Sequence, residues 1–154
     1  MDKLSNISNL GEIDVVYRYK NTLKNRPTIT NSEESLEVLK RLFETDKLGL
    51  QEQFLVIFLN KANKVIGTCN MFKGGNSQTS VDVKLLLATA LKLLASGLIV
   101  SHNHPSGNLK PSPEDQKLTK VIQKRAQEMG INVVDHLIVS PDWTYLSFAD
   151  EGIL

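Results

Sequence analysis

The sequence has the length of one domain and almost no net charge. It contains 154 residues, of which 41% are hydrophobic, enough to bury a core without disulfides. The 18 basic and 17 acidic residues nearly cancel, which argues against a general electrostatic attraction to nucleic acid. The single cysteine, Cys69, excludes an internal disulfide and a multi-cysteine zinc site, and we interpret it as a small core residue.

The most apolar segment is too short to cross a membrane. LLLATALKLLASGLIV, residues 85–100, is interrupted by Lys92 and Gly97, and a span needs about 20 apolar residues. The first ten residues, MDKLSNISNL, lack the basic region and apolar stretch of a secretory signal. With the lone cysteine, these features predict a cytoplasmic protein without a membrane partner.

The first half of the chain predicts three strands and one helix. EIDVVYRYK, residues 12–20, alternates as a half-buried strand does. TNSEESLEVLKRLFE, residues 30–44, opens with capping residues and predicts a helix. EQFLVIFLNKANKVIGTCNMFKGG, residues 52–75, predicts two strands joined by a polar turn. The first of these two has apolar residues on both faces, so we expect it to be covered on both sides.

The second half predicts two helices and three strands. Residues 82–95 carry a helical apolar face that includes Leu94, and Gly97 is placed to end that helix. LIVSHNH, residues 98–104, is a short strand, and a helix follows from Ser112 to Met129. INVVDHLIVSPDWTYLSF predicts a closing hairpin. The order of elements predicts an α/β or α+β domain, one mixed sheet flanked by helices.

The helix predicted at residues 82–95 has an unusually wide apolar face. Leu85 and Leu93 lie outside the main stripe, which predicts burial on two sides or a contact between subunits of a homo-oligomer.

Two histidines stand at the end of the predicted strand of residues 98–104. Residues i and i+2 of a strand point to the same face, so His102 and His104 direct their imidazoles to one side. Pro105 and Gly107 then stop the strand, at the kind of carboxyl edge where α/β sheets tend to place ligands. Two neutral imidazoles so close together favour a divalent ion such as zinc.

Asp115 has two interpretations, a helix cap and a third metal ligand. Ser112 stands at the predicted N-cap and Asp115 three residues later, which is nearly a capping box. Asp115 also lies on a predicted core-facing stripe with Leu118, Ile122 and Met129, which favours a ligand directed toward the strand ends. Two imidazoles and one carboxylate would hold one zinc per chain and keep a coordination position open, as in catalytic sites.

The ordered set of these residues resembles a metalloprotease signature. His-x-His, seven residues, Ser, two residues, Asp is the pattern of JAMM or MPN+ domains, and it is filled here by His102, His104, Ser112 and Asp115. HNHPSG, PSPED, VDHLIV and YLSFADEG resemble the RadC family specifically, from about Glu52 to the C-terminus. The resemblance implies one JAMM-type domain over residues 1–154, with the N-terminal strand and helix in 1–50 and the metal-site core in 51–154.

The resemblance also implies a catalytic base and an oxyanion donor. JAMM domains use a glutamate at the start of a central strand, which takes a proton from the attacking water and passes it to the leaving amine. Glu52, just before FLVIFL, matches it. Ser112 would hydrogen-bond the oxyanion as well as cap its helix. The implied activity is zinc-dependent hydrolysis of an amide or isopeptide bond in a peptide or protein substrate.

Three features depart from the resemblance. Asn103 stands where eukaryotic JAMM proteases usually have Ser or Thr, and we expect its side chain to point away from the metal. Lys84, in SVDVKLL, takes the place of an arginine that many RadC members carry. The residues before Glu52 lack the Gly-containing helix-hairpin-helix that longer RadC proteins use near DNA. We therefore expect the catalytic domain alone, without direct nucleic-acid binding.

The third histidine lies in a different predicted strand. In VVDHLIV, His136 shares a strand face with Val134 and Ile138, which favours a satisfied core histidine over a ligand or an outer-shell group. Asp135 points the other way and is a candidate to orient a ligand histidine. Neither residue is included in the predicted site.

Three other functions compete with hydrolysis. The RadC name is attached to DNA repair, so a nucleic-acid accessory protein is one alternative, and a basic stripe on the surface would favour it. A non-catalytic MPN scaffold is the second, although such scaffolds have usually lost metal ligands. The third is an iron oxygenase with two histidines and one carboxylate, which elemental analysis would distinguish.

Overall fold

A five-stranded sheet with helices on both faces positions the predicted site residues. The computed structural model describes residues 25–73 and 81–154, and the strand predicted at residues 12–20 lies outside them. The strands are β1 (Gln53–Leu59), β2 (Val65–Lys73), β3 (Gly97–Asn103), β4 (Asn132–Val139) and β5 (Tyr145–Ser147). The helices are α1 (Ser32–Leu39), α2 (Val83–Lys92) and α3 (Pro113–Glu128).

The sheet is mixed, with β3 at its centre in the order β2-β1-β3-β4-β5. β1 pairs antiparallel with both β2 and β3, and β4 pairs antiparallel with β5. β3 and β4 are parallel, and because parallel neighbours need a long crossover, α3 lies between them in the chain. This architecture confirms the predicted fold class and both predicted hairpins.

Both faces of β1 are buried, as predicted from its apolar residues. Alternate side chains enter two separate cores because successive strand residues point to opposite faces. Phe54, Val56 and Phe58 pack in a core that includes α2 and α3, and Cys69 packs partly buried against it. The other face of β1 packs against α1 in a second core, which contains Leu55, Ile57 and Leu59.

Helix α1 ends earlier than its apolar spacing predicts. The side chain of Asn31 caps the helix by accepting from the N–H of Glu34, but the helix ends at Leu39 rather than at residue 44. The N–H groups of Leu42 and Phe43 both donate to the carbonyl of Leu39, which closes a turn. Phe43 is buried nonetheless, so this turn places an apolar residue in the core without continuing the helix.

Helix α2 also ends earlier than predicted, and without a glycine. The N–H of Ala95 donates to the carbonyl of Ala90, and the N–H of Leu94 to that of Leu91, the bonding pattern of a Schellman motif. Leu94 occupies the left-handed position, with φ 51°, and is 85% exposed. Gly97 instead begins β3, so the predictions that Leu94 is a core residue and that Gly97 ends the helix are wrong.

The outer face of α2 remains uncovered among the described residues. Leu85 is 54% exposed and Leu91 45%, so the described fold does not bury this helix on two sides. None of the helices in residues 25–73 and 81–154 combines the length and the apolar character that crossing a bilayer requires.

Candidate metal centre

The two histidines of β3 face the same side of the sheet, as their spacing predicts. His102 lies within the strand, and the N–H of His104 still donates to the Val139 carbonyl of β4 at 2.9 Å. The backbone therefore remains extended through both residues. Their Nε2 atoms lie 2.9 Å apart, and the ring of Phe54 stacks on that of His102.

Asp115 is both a helix cap and a neighbour of the two histidines. Its N–H donates to Ser112 Oγ at 3.0 Å, and the N–H of Ser112 donates to its Oδ2 at 2.8 Å, which completes a capping box. The same carboxylate places Oδ1 3.2 Å from Nε2 of His102 and Oδ2 3.4 Å from Nε2 of His104. The two interpretations of Asp115 are therefore compatible, and the capping bonds fix the direction of its carboxylate.

The distances between these donor atoms match the size of a zinc ion. Around a tetrahedral zinc with bonds of about 2.0–2.1 Å, ligand atoms lie roughly 3.3 Å apart. The two Nε2 atoms lie 2.9 Å apart, and each has an Asp115 oxygen at 3.2 or 3.4 Å, Oδ1 beside His102 and Oδ2 beside His104. One donor atom from each residue fits within 4.8 Å, and the three side chains are partly or fully buried. This group could hold a metal ion through two imidazoles and one carboxylate.

Electrostatics at the centre reflect the close approach of these groups. Burial alone would raise the pKa of Asp115, but hydrogen bonds with His102 and His104 lower it well below its usual range. The bond with Asp115 raises the pKa of His104, against the opposing effect of burial. The carboxylate is therefore ionised throughout the physiological range, whereas a proton on His104 competes with a metal ion.

Glu52 lies in a small cleft beside these residues. The cleft has a volume of about 50 Å³, and its walls are Glu52, Gln53, Phe54, Val81, His102, Asp115 and Leu118. β1 and β3 pair with Phe54 opposite His102, so continuing this antiparallel register by two residues places Glu52 opposite His104. The glutamate is exposed to solvent, and it reaches the centre from a strand remote in sequence.

Ser112 is linked to the centre by its capping hydrogen bonds with Asp115. Its Oγ accepts the N–H of Asp115, and among the described residues no acceptor takes its hydroxyl hydrogen. That hydrogen is available to a ligand while the capping bond remains. The structure thus brings Ser112, Asp115, His102, His104 and Glu52 to one end of the sheet.

Residues 29–153 match the RadC-like JAB domain family. The chain belongs to this family. It is 47% identical over 104 residues to a UPF0758 protein of Porphyromonas gingivalis, and this alignment covers 68% of the chain and 46% of that protein. It is 46% identical over 102 residues to a UPF0758 protein of Flavobacterium johnsoniae, covering 66% and 44%. The chain spans less than half the length of these curated relatives.

The sequence interpretation missed how His136 joins the centre of this RadC-like domain. The residue is fully buried, as expected, but its Nε2 lies 2.8 Å from Nδ1 of His102. Its Nδ1 lies 2.6 Å from the hydroxyl oxygen of Thr119. His136 therefore contacts the candidate ligand His102 as well as packing in the core. Burial, and then the nearby His102, hold its pKa well below the usual range, so the ring is neutral.

A β-bulge in β4 explains why strand alternation gave an incomplete description of His136. The register against β3 shifts between Leu98 and Ile99, whose partners are Val133 and Asp135. The extra residue, Val134, packs with the α1 core, while Val133 packs with the α2 and α3 core. Because a bulge shifts every later side chain to the opposite face, His136 does not share the face of Val134.

Asp135 does not orient a ligand histidine. Its Oδ2 accepts the hydroxyl of Ser147 at 2.6 Å, and its Oδ1 accepts the N–H groups of His136 and Ala149 at 2.7 and 3.0 Å. Burial raises the pKa of Asp135, against these hydrogen bonds. The carboxylate therefore fastens the turn after β5 to β4, and the predicted orienting function is wrong.

Asn103 points away from the centre, as predicted, but it also fixes the segment that carries Glu52. Its Oδ1 accepts the N–H of Gln53 at 2.6 Å, and its Nδ2 donates to the carbonyls of Leu48 and Gln51 at 2.8 and 3.0 Å. The amide thus holds the residues on both sides of Glu52. The HNH pattern gives the histidines their direction but contains no signal for this contact.

Proposed function

We propose that this domain is a zinc-dependent hydrolase of amide or isopeptide bonds in a peptide or protein substrate. The observation that carries the proposal is the cleft in which Glu52 lies beside His102 and Asp115. A carboxylate next to a three-ligand centre is the arrangement that metal-assisted hydrolysis requires. The family itself supports this chemistry through its JAB-type domain.

His102, His104 and Asp115 would hold the metal through Nε2 of both rings and one carboxylate oxygen. A zinc ion held by three protein ligands supplies a Lewis acid, which polarises a carbonyl oxygen and lowers the pKa of a water molecule toward about 7. The capping box keeps Asp115 directed at the histidines. The chain's own contribution is thus a preorganised donor set that needs little rearrangement to bind the ion.

Glu52 would act first as a base and then as an acid. Its carboxylate accepts a proton from the water that attacks the scissile carbonyl carbon, and a C–O bond forms. The same proton passes to the departing nitrogen as the C–N bond breaks, so Glu52 ends ionised as it began. The Ser112 hydroxyl donates to the carbonyl oxygen while that oxygen carries negative charge.

The substitution Glu52→Gln tests this proposal. Glutamine keeps the size and one carbonyl oxygen of glutamate but cannot take a proton, which typically costs about 100-fold to 10,000-fold in rate. The substrate would come from a proteome-wide cleavage screen that compares wild type with His104→Ala. Zinc content and folding should remain normal in Glu52→Gln. Glu128→Gln, on the exposed end of α3, is the matched control and should cleave as wild type does.

Two results would contradict the proposal. Wild-type turnover by Glu52→Gln would exclude Glu52 as the base, and loss of zinc from that variant would make Glu52 a ligand.

Elemental analysis of purified protein provides a second check, with about one zinc per chain expected from three protein ligands. Iron in its place would favour the oxygenase alternative, and a zinc-loaded protein without cleaved substrates would favour a scaffold.

One observation favours a second function, association with nucleic acid. Lys117, Lys120 and Lys124 line an open groove of about 660 Å³ along α3, next to Pro113. Fluorescence anisotropy with labelled DNA at about 50 and 200 mM salt would test it, because binding through phosphates weakens steeply with salt. Salt-sensitive binding that Lys120→Gln weakens would support this function, and no binding at about 50 mM salt would exclude it.

A further inference from the structure

Two of the chain's three histidines, His102 and His136, form one hydrogen-bonded row with Thr119. Nδ1 of His102 is 2.8 Å from Nε2 of His136, and Nδ1 of His136 is 2.6 Å from the hydroxyl oxygen of Thr119. That hydroxyl oxygen is also 2.7 Å from the backbone carbonyl oxygen of Asp115. This histidine row therefore connects the backbone of one candidate ligand, Asp115, to the ring of another, His102.

The carbonyl at one end of the histidine row sets the direction of each hydrogen bond. A carbonyl oxygen can only accept, so the single hydroxyl hydrogen of Thr119 is donated to Asp115. Thr119 must then accept a hydrogen from Nδ1 of His136. A neutral imidazole has one N–H, so Nε2 of His136 accepts, and His102 donates to it from Nδ1.

Burial keeps His136 neutral. His136 and Thr119 are 0% and 2% exposed, and His102 is 5% exposed. A charged imidazole at such depth would need a paired anion, and the hydrogen-bond partners of His136 are His102 and Thr119. His136 is therefore neutral, so its one N–H and its one acceptor nitrogen fix the direction of both hydrogen bonds that it makes.

We propose that His136 and Thr119 are positioning residues that keep a hydrogen on Nδ1 of His102, so that Nε2, which faces His104 and Asp115, is the nitrogen that a metal ion would bind. This inference rests on the metal-binding part of the proposed function. His104 reaches the same tautomer separately, because its Nδ1 lies 2.5 Å from the carbonyl oxygen of Asn108 and must donate to it. Nε2 of both rings and one carboxylate then face one another, and a metal ion could bind all three once it displaces any proton held between them.

Reversing the histidine row would weaken metal binding. If the Thr119 hydroxyl donated to His136, each ring proton would change position and Nε2 of His102 would carry a hydrogen. A nitrogen that carries a hydrogen cannot bind a metal ion. The hydroxyl of Thr119, which touches no candidate ligand side chain, therefore selects the ring nitrogen that faces the ion.

Nitrogen-15 NMR of the zinc-free protein tests the tautomers directly. The chain has three imidazoles, so each ring can be assigned. We expect the hydrogens of both His102 and His136 on Nδ1. Absence of a hydrogen from Nδ1 of either ring in the zinc-free wild type would overturn the inference. This measurement needs no substrate and no activity.

Zinc affinity of Thr119 variants, measured by competition with a fluorescent chelator, provides the second test. Loss of an outer-shell partner typically weakens metal binding about 10-fold to 100-fold, so Thr119→Val should raise the zinc Kd by that factor and allow the Nε2–H form of His102. Thr119→Ser keeps the hydroxyl and should restore the wild-type Kd and tautomer. A wild-type Kd in Thr119→Val, or a weakened one in Thr119→Ser, would contradict the inference.

Ser101→Ala is the matched control for Thr119→Val. Ser101 is also buried, its hydroxyl donates to the Leu137 carbonyl at 2.9 Å, and it lies next to His102 without joining the histidine row. Its loss should lower stability and leave zinc Kd and tautomers unchanged. A control that weakens zinc as much as Thr119→Val would assign the effect to general destabilisation and overturn the inference. Wild-type protein that binds no zinc would overturn the proposed function, and the NMR spectrum would still decide the tautomer.

Discussion

The two faces of the sheet at the end of β3 contrast in how they satisfy polar side chains. On one face, the buried amide of Asn103 makes three hydrogen bonds to backbone groups, with its oxygen accepting one and its nitrogen donating two. On the other, His102 and His104 direct ring nitrogens at each other and at Asp115, at 2.9 to 3.4 Å. Three consecutive residues thus alternate between a completed structural contact and a converging donor set.

This contrast separates fold-stabilising polar groups from ligand-binding ones. A buried amide whose partners are all backbone groups stabilises the fold and needs nothing further. Ring nitrogens and carboxylate oxygens that lie this close together are donors that one metal ion could bind. Substitutions on the face of His102 and His104 should therefore change zinc content. Substitutions on the face of Asn103 should change stability.

The largest expected effect is loss of zinc from His104→Ala. The variant removes one of three ligands on the centre-facing side of β3, so most of the zinc should be absent after purification, while the fold persists because His104 lies outside both cores. Inductively coupled plasma mass spectrometry measures the metal and circular dichroism the fold. Wild-type zinc content in this variant would show that the ligand assignment is wrong.

Asp115→Asn should also lose zinc, but with little change in stability. Asparagine can still accept the capping bond from Ser112 yet is a poor zinc ligand. Its counterpart, Ser112→Ala, should keep zinc and lose about 0.5 to 2 kcal/mol of stability as a cap. Urea unfolding and zinc analysis of both variants separate the two functions. An Asp115→Asn protein with normal zinc would reduce Asp115 to a cap.

Asn103→Ala should destabilise the fold without removing the candidate metal ligands. It leaves the buried N–H of Gln53 without its acceptor, and an orphaned buried group costs about 1 to 3 kcal/mol. Zinc should still bind, whereas hydrolysis should fall because the segment around Glu52 is released. Asn60→Ala is a suitable control, since the Asn60 side chain also accepts backbone N–H groups but in the turn between β1 and β2. Loss of zinc from Asn103→Ala with unchanged stability would contradict the assignment of Asn103 to the fold and of the opposite face to metal binding.

The effect of pH on zinc binding should be smaller than the effects of these substitutions. Its direction follows from the raised pKa of His104. The raised pKa of His104 stabilises the zinc-free fold below about pH 6.5, and this contribution is lost as the pH rises through the folded-state pKa. Zinc must displace that proton, so the Tm increase on adding zinc should shrink as the pH falls from about 8 to about 6. Differential scanning fluorimetry with and without zinc measures it. An equal increase at both pH values would argue against histidine ligation.

The smallest effect is expected far from both faces, at the end of α2. Leu94 adopts φ 51°, a conformation that costs a side-chain-bearing residue about 1–2 kcal/mol, so Leu94→Gly should raise stability by up to about 1 kcal/mol. Zinc content and tautomers should not change. A destabilised Leu94→Gly variant would show that the exposed leucine makes a contact that offsets its backbone strain.

Local sequence patterns predicted much of the fold and the three candidate ligands. Alternation predicted β1 and its hairpin with β2, capping residues predicted the start of α3, and the i, i+2 rule placed His102 and His104 on one face. Met129, assigned to the core-facing stripe of α3, is instead 47% exposed, because it follows the last helical residue. Periodicity is therefore least informative where an element ends.

Features that depend on two distant segments could not be predicted in this way. The bulge in β4 exists because of how that strand pairs with β3, so no local pattern shows that His136 turns toward His102. The same limit applies to Asn103, whose partners Leu48 and Gln51 lie about fifty residues earlier in the chain. Both contacts are consequences of tertiary pairing, to which hydrophobic periodicity is insensitive.

The three candidate ligands come from one short stretch of chain, positions 102 to 115, whereas Glu52 joins them only through the pairing of β1 with β3. Closing a short loop loses less conformational entropy than closing a long one, by about 0.6 kcal/mol per doubling of length. Detachment of the segment that carries Glu52 would therefore leave in place every atom of the three candidate ligands. Under increasing denaturant, hydrolysis should disappear before metal release, leaving an inert species that still carries its metal.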